Sequence, residues 1–121
     1  MFLNVTNHPV ADWPEQQRTA ARELGGQIVD SAFPDVPPDA DTEGVRALGR
    51  ETLASIAAKH PTAVLIQGEF TLAFFLVREL QSLGFPCYAA TTRRLAQATS
   101  LADGTSLRTS RFEFVRFRSY G

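Results

Sequence analysis

Ala63-Val64-Leu65-Ile66, then Gly68-Glu69-Phe70-Thr71, then Leu72, Phe75, Leu76, Leu80 and Leu83: this stretch decides the fold class. Four consecutive apolar residues read as a strand covered on both faces. The polar turn leads into leucines and a phenylalanine at helical spacing, and Gly84 ends that helix. Downstream, Pro86-Cys87-Tyr88-Ala89-Ala90 reads as a fourth strand that Thr91-Thr92-Arg93-Arg94 leaves. A polar segment with Asp103-Gly104 follows, then a last strand over Phe112-Glu113-Phe114-Val115-Arg116-Phe117. Upstream, Phe2–Thr6 is a short strand broken by Asn7-His8-Pro9. Asp12 is expected to cap a helix with Pro14 in its first turn, stopped by Gly25-Gly26. Ile28, Val29 and Phe33 mark a second strand. After the acidic, proline-rich loop 34–41, Thr42 is expected to cap a helix carrying Val45, Leu48, Leu53, Ile56 and Ala57. Strand, helix, strand, helix, strand, helix, strand, strand predicts a single α/β domain over 1–121, its sheet mostly parallel and flanked by helices.

The chain has 121 residues, enough for one core without disulfide or metal staples. Its lone cysteine, Cys87, has no internal partner, and no CxxC or Cys/His cluster offers a zinc site. No apolar run approaches a membrane span, and Met1–His8 lacks the pattern of a signal peptide. The expectation is a soluble, cytoplasmic protein with no metal and no cofactor. Charge is unevenly distributed. Residues 1–87 carry eleven acidic against six basic side chains, whereas 88–121 carry six arginines against Asp103 and Glu113. Arginine forks bidentately onto phosphate; charge along an edge strand also prevents aggregation. A formal net charge of -1 favours a small, specific anion over a long nucleic acid.

Ligands of open α/β sheets bind outside the carboxyl ends of the strands. Three segments are expected to converge there: Thr6-Asn7-His8, Gly68-Glu69-Phe70-Thr71 and Thr91-Thr92-Arg93-Arg94. An imidazole exchanges its proton near neutral pH, which makes His8 a candidate acid or base; capping the first helix or packing beside Trp13 is its structural role. Glu69 at a helix start suits a ribose hydroxyl or proton transfer, against plain compensation of the helix dipole. No GxGxxG and no P-loop is present, which disfavours NAD and ATP hydrolysis. On the third helix Ala73, Phe74 and Val77 form a second apolar face, which predicts a homodimer.

The first strand ending in Asn7-His8-Pro9, the Gly-x-x-Thr turn at Gly68–Thr71 and the Thr-Thr-Arg-Arg exit resemble small stand-alone CRISPR-associated Rossmann-fold (CARF-like) ring nucleases. The C-terminal Arg111-Phe112-Glu113-Phe114-Val115 is similar to theirs as well. The resemblance implies a Rossmann-like, CARF-like domain over 1–121. It further implies a homodimer that binds a cyclic oligoadenylate across its two-fold axis and cleaves it without metal, ending a type III CRISPR response. Carried over, the ligand contacts are Thr6, Asn7, His8, Gly68, Thr71, Thr92 and Arg93. The substrate's own 2′-hydroxyl is the nucleophile, and His8 or Glu69 moves the proton. The segment after Arg94 departs from the family pattern. Two other readings stand beside this one: a non-catalytic nucleotide sensor or sponge, and an interaction module whose arginine-rich C-terminal strand docks a protein or nucleic acid.

Overall fold

The computed structural model describes residues 1–121. Strands β1 (Phe2–Val5), β2 (Ile28–Asp30), β3 (Ala63–Ile66), β4 (Cys87–Ser100) and β5 (Ser106–Ser119) form one sheet in the order β2-β1-β3-β4-β5. The first four are parallel and β5 returns antiparallel to β4. Helices α1 (Glu15–Gly25), α2 (Thr42–Ala58) and α3 (Phe70–Ser82) make the connections. The expected class and element order are therefore found.

Period-two alternation divides the core between the two faces of the sheet. Leu3, Val5, Val64 and Ile66 pack against Val45 and Ile56 of α2 and Leu72, Leu76 and Leu80 of α3. Phe2, Ala63 and Leu65 pack on the other face against Trp13 and Ala21, with Phe117 closing the cluster. The Phe117 ring packs at a tilt, its centroid 5.0 Å from that of Phe2 and 4.9 Å from that of Phe114.

Both expected helix caps move. Asp12 belongs to a short 3-10 turn, Val10–Asp12, and Pro14 takes the cap position of α1. Proline has no amide to leave unpaired there, so the helix begins one step beyond it. Asp41, not Thr42, caps α2, accepting the Gly44 amide at 2.8 Å; Thr42 is already helical. Phe33 lies outside β2, and its ring turns into the core.

The largest departure is at the C-terminus. The segments expected as short strands are the base of one long hairpin, paired from Tyr88 with Ser119 to Ser100 with Ser106. Its outer part is built from polar, β-prone residues such as Thr99 and Thr109. These pair well but carry no apolar alternation, because no core lies beneath them. Val115 bulges between the pairs Thr91–Arg116 and Thr92–Phe114. Residues 96–113 are all exposed. Beyond the sheet edge the hairpin forms an arm of roughly 25 Å, at about 3.4 Å per residue.

Candidate functional site

The connections leaving β1 and β3 diverge. From β1 the chain crosses through α1 to β2, and from β3 through α3 to β4, on opposite faces of the sheet. Adjacent strands whose exits part in this way make a topological switch point, and the space outside their carboxyl ends is the usual ligand position in α/β sheets. Asn7-His8 border it on the α1 side and Gly68-Glu69 on the α3 side.

A buried polar cluster holds the β1 exit. Asn4, 1% exposed inside an apolar strand, donates to the His8 carbonyl and to Asp30 Oδ1, both at 2.8 Å. Its Oδ1 accepts the Thr6 hydroxyl at 2.8 Å, and that hydroxyl accepts the His8 amide at 3.0 Å. The Trp13 indole donates to the same His8 carbonyl at 2.9 Å. Asp30 Oδ1 also receives the Val10 amide at 3.1 Å. Every buried polar atom here is paired, so the turn is rigid while the Asn7 and His8 side chains face solvent. Thr6 is buried, and its hydroxyl serves this cluster.

On the α3 side, Glu69 caps its own helix. Its carboxylate accepts the Thr71 hydroxyl at 2.7 Å and the Leu72 and Thr71 amides at 2.9 and 3.0 Å. Those bonds, the Thr71 hydroxyl foremost, hold its pKa below the usual carboxylate value. Glu69 therefore stands ionised, with both oxygens engaged by Thr71 and Leu72. Gly68 is required by packing: a Cβ there would lie 2.4 Å from the Phe33 ring. Phe33 also donates its amide to the Thr6 carbonyl at 3.3 Å, so the segment after β2 ties the ends of β1 and β3 together.

Thr92 and Arg93 lie in β4 rather than in a loop, about two strand spacings, ~10 Å, from β1. Alternation sends Thr92 to the Phe114 face with α1, and Arg93 with Glu113 to the opposite face. The candidate residues thus form two groups across the sheet edge: Asn7, His8 and Thr92, and Glu69, Thr71 and Arg93. None of the six C-terminal arginines forms an ion pair; the only three in the chain lie on α1 and α2.

Four contributors escaped the sequence reading: Asn4, Asp30, Gln67 and Tyr120. A carboxamide inside Phe2–Val5 was the visible signal for the first. The others act only through the fold. Backbone pairing of β3 with β4 covers Val64–Cys87 and Leu65–Tyr88. Beyond it, Gln67 Oε1 accepts the Ala90 amide at 2.9 Å and the Tyr120 hydroxyl donates to the Ile66 carbonyl at 2.7 Å. These two side chains satisfy the sheet where the arm departs. Burial pushes the Cys87 thiol up to about 11, which removes it as a nucleophile near neutral pH.

A groove of about 680 Å³ lies beside this site, in the seam between α2 and α3. It shares Thr71 with the sheet edge and is lined by Phe70, Phe74 and Phe75. The expected second apolar face of α3 is divided by the packing. Val77 is buried and Ala73 half-buried in the core, whereas Phe70 and Phe74 are 88% and 69% exposed.

A protein-family model described as "Uncharacterized protein MJ1673 family" matches residues 1–118. No curated protein and no solved structure matches the chain.

Proposed function

The chain belongs to the uncharacterized MJ1673 family, and from its own geometry we propose that it binds and opens a cyclic oligoadenylate as a cytoplasmic homodimer. The observation that carries this reading is the topological switch point between β1 and β3, where a polar cluster holds rigid the turn that presents Asn7 and His8. In this reading the domain is Rossmann-like and CARF-like, and ring opening ends a type III CRISPR signal. Asn7 and Thr92 contact the ligand from one side, Thr71 and the Gly68 backbone from the other, and Arg93 offsets phosphate charge.

The chemistry needs no external nucleophile. A ribose 2′-hydroxyl attacks the adjacent phosphorus and forms a 2′,3′-cyclic phosphate, while the 5′-oxygen leaves and takes up a proton. The protein holds the attacking oxygen in line, accepts its proton and stabilises charge on phosphorus. His8 is the exposed imidazole at this switch point and moves the proton. Glu69 is reassigned: a carboxylate committed to its helix end positions Thr71 and α3 rather than carrying protons.

Incubating the protein with cyclic tri-, tetra- and hexaadenylate in EDTA tests this. Linear fragments ending in a 2′,3′-cyclic phosphate are expected. His8→Ala slows their formation by about 10²-fold with binding retained. Arg93→Ala weakens binding by about 1.5–3 kcal/mol. Tight binding without products assigns a sponge or sensor, a role that the engagement of Glu69 also favours. No binding of any ring removes the reading.

A further inference from the structure

The β4–β5 arm projects from the sheet with residues 96–113 exposed on both faces. A two-stranded ribbon alone in water is marginally stable, so this arm requires a cover that its own domain leaves off. We infer that the cover is a second copy of this chain: the arm of each protomer lies along the α2–α3 groove of the other. The inference rests on the dimeric part of the proposed function and not on its chemistry.

Charge complementarity selects this occupant. Arg93, Arg94, Arg108 and Arg111 on the arm make no ion pair. The groove's own charged lining balances, Asp41 and Glu79 against Arg46 and Arg78, and the segment that leads into it adds Asp35, Asp39 and Glu43 with no basic residue among them, which leaves its rim acidic. Apolar surface matches as well. Leu107 and Phe112 are 50% and 68% exposed on the arm, and Phe70 and Phe74 are the most exposed aromatics of the groove. Exposed leucine and phenylalanine beside Asp103 and Glu113 suit a protein surface, whereas a phosphate backbone calls for cations alone. A two-fold arrangement makes the contact twice, once for each arm, and closes the assembly at two.

The test is sedimentation velocity without ligand on the intact chain and on a shortened chain in which Asn-Gly joins Arg94 to Phe112. That turn suits a two-residue hairpin. The intact chain is expected to be a dimer, and the shortened chain to associate at least tenfold more weakly with its helical signal intact. A second variant keeps the arm and carries Arg94→Glu, Arg108→Glu and Arg111→Glu. It loses self-association and regains a partner when mixed with the Asp35→Arg, Asp39→Arg variant. A shortened chain that dimerises as tightly as the parent overturns the clasp and leaves the dimer of the proposed function standing. An intact chain that stays monomeric at every concentration overturns both, while ring opening is still judged by its own assay. A monomer whose arm is needed to shift a labelled oligonucleotide overturns the clasp in favour of nucleic acid.

Discussion

At the scale of single residues, Asn4 shows how a buried polar group positions an exposed one. Its carboxamide satisfies the His8 carbonyl, Asp30 and the Thr6 hydroxyl at once. Removing it takes one bond from each of three partners; the His8 carbonyl keeps the Trp13 indole and Asp30 keeps the Val10 amide, while the buried Thr6 hydroxyl loses its nearest acceptor. Asn4→Ala is therefore expected to lower stability by about 1–3 kcal/mol, seen as an earlier urea midpoint. It should also slow the proposed ring opening, by loosening the turn whose His8 carbonyl it holds while leaving the imidazole in place. Thr6 was legible as a polar residue at a strand end but not as a buried member of this cluster. Its hydroxyl points inward because residues 2, 4 and 6 share one face, and only the position of α1 makes that face a covered one. Gly68 likewise read as a turn glycine, and the fold reveals a ring of Phe33 against it.

At the scale of elements, α3 is fastened at its start by Glu69. The bonds to Thr71 and Leu72 favour the ionised carboxylate, so its folded-state pKa lies below its unfolded one. The resulting stability is fully present above about pH 4.5 and is lost as the pH falls through the lowered value. Glu69→Ala is expected to cost about 0.5–2 kcal/mol at pH 7, the range of other side-chain caps. That difference should shrink when urea unfolding is repeated near pH 3. Helix starts were only partly legible. Asp, Thr and Pro cluster before both α1 and α2, and several of them qualify as caps by type. At α2 the residue that serves is Asp41, whose side chain reaches a free amide, whereas Pro14 holds the α1 cap position with no side-chain bond; which case applies depends on how the chain enters the helix. The arm was the least legible element, since cross-strand pairing between Thr91–Ser100 and Ser106–Arg116 leaves no hydrophobic period to read.

At the scale of the whole molecule, acidic and basic halves and two exposed apolar surfaces occupy one chain of nearly zero net charge. Phe74 lies on the groove that the second copy is inferred to cover. Phe74→Glu is expected to raise the dimer dissociation constant at least tenfold in sedimentation, with unfolding by urea little changed for a side chain 69% exposed. An unchanged dimer would take α3 out of the interface. Val77→Glu is no substitute, because that side chain belongs to the core. No helix is long and apolar enough to cross a membrane.

Hydrophobic period, prolines and glycines along the chain determined the element order, because each is a local property of a few adjacent residues. The same signals placed Asn7-His8 after β1 and Gly68–Thr71 after β3, where the fold has them, but set Thr91–Arg94 after a strand that in fact runs on through it. Only the tertiary structure decided which of those groups are free. Glu69 is engaged by Thr71 and Leu72, Thr6 is sealed under α1, and Thr92 and Arg93 are sent to opposite faces by a strand where a loop was expected. The reason is physical: a polar side chain's availability depends on which donors and acceptors reach it from distant segments, and Asp30, Trp13 and Tyr120 arrive only when the chain has folded.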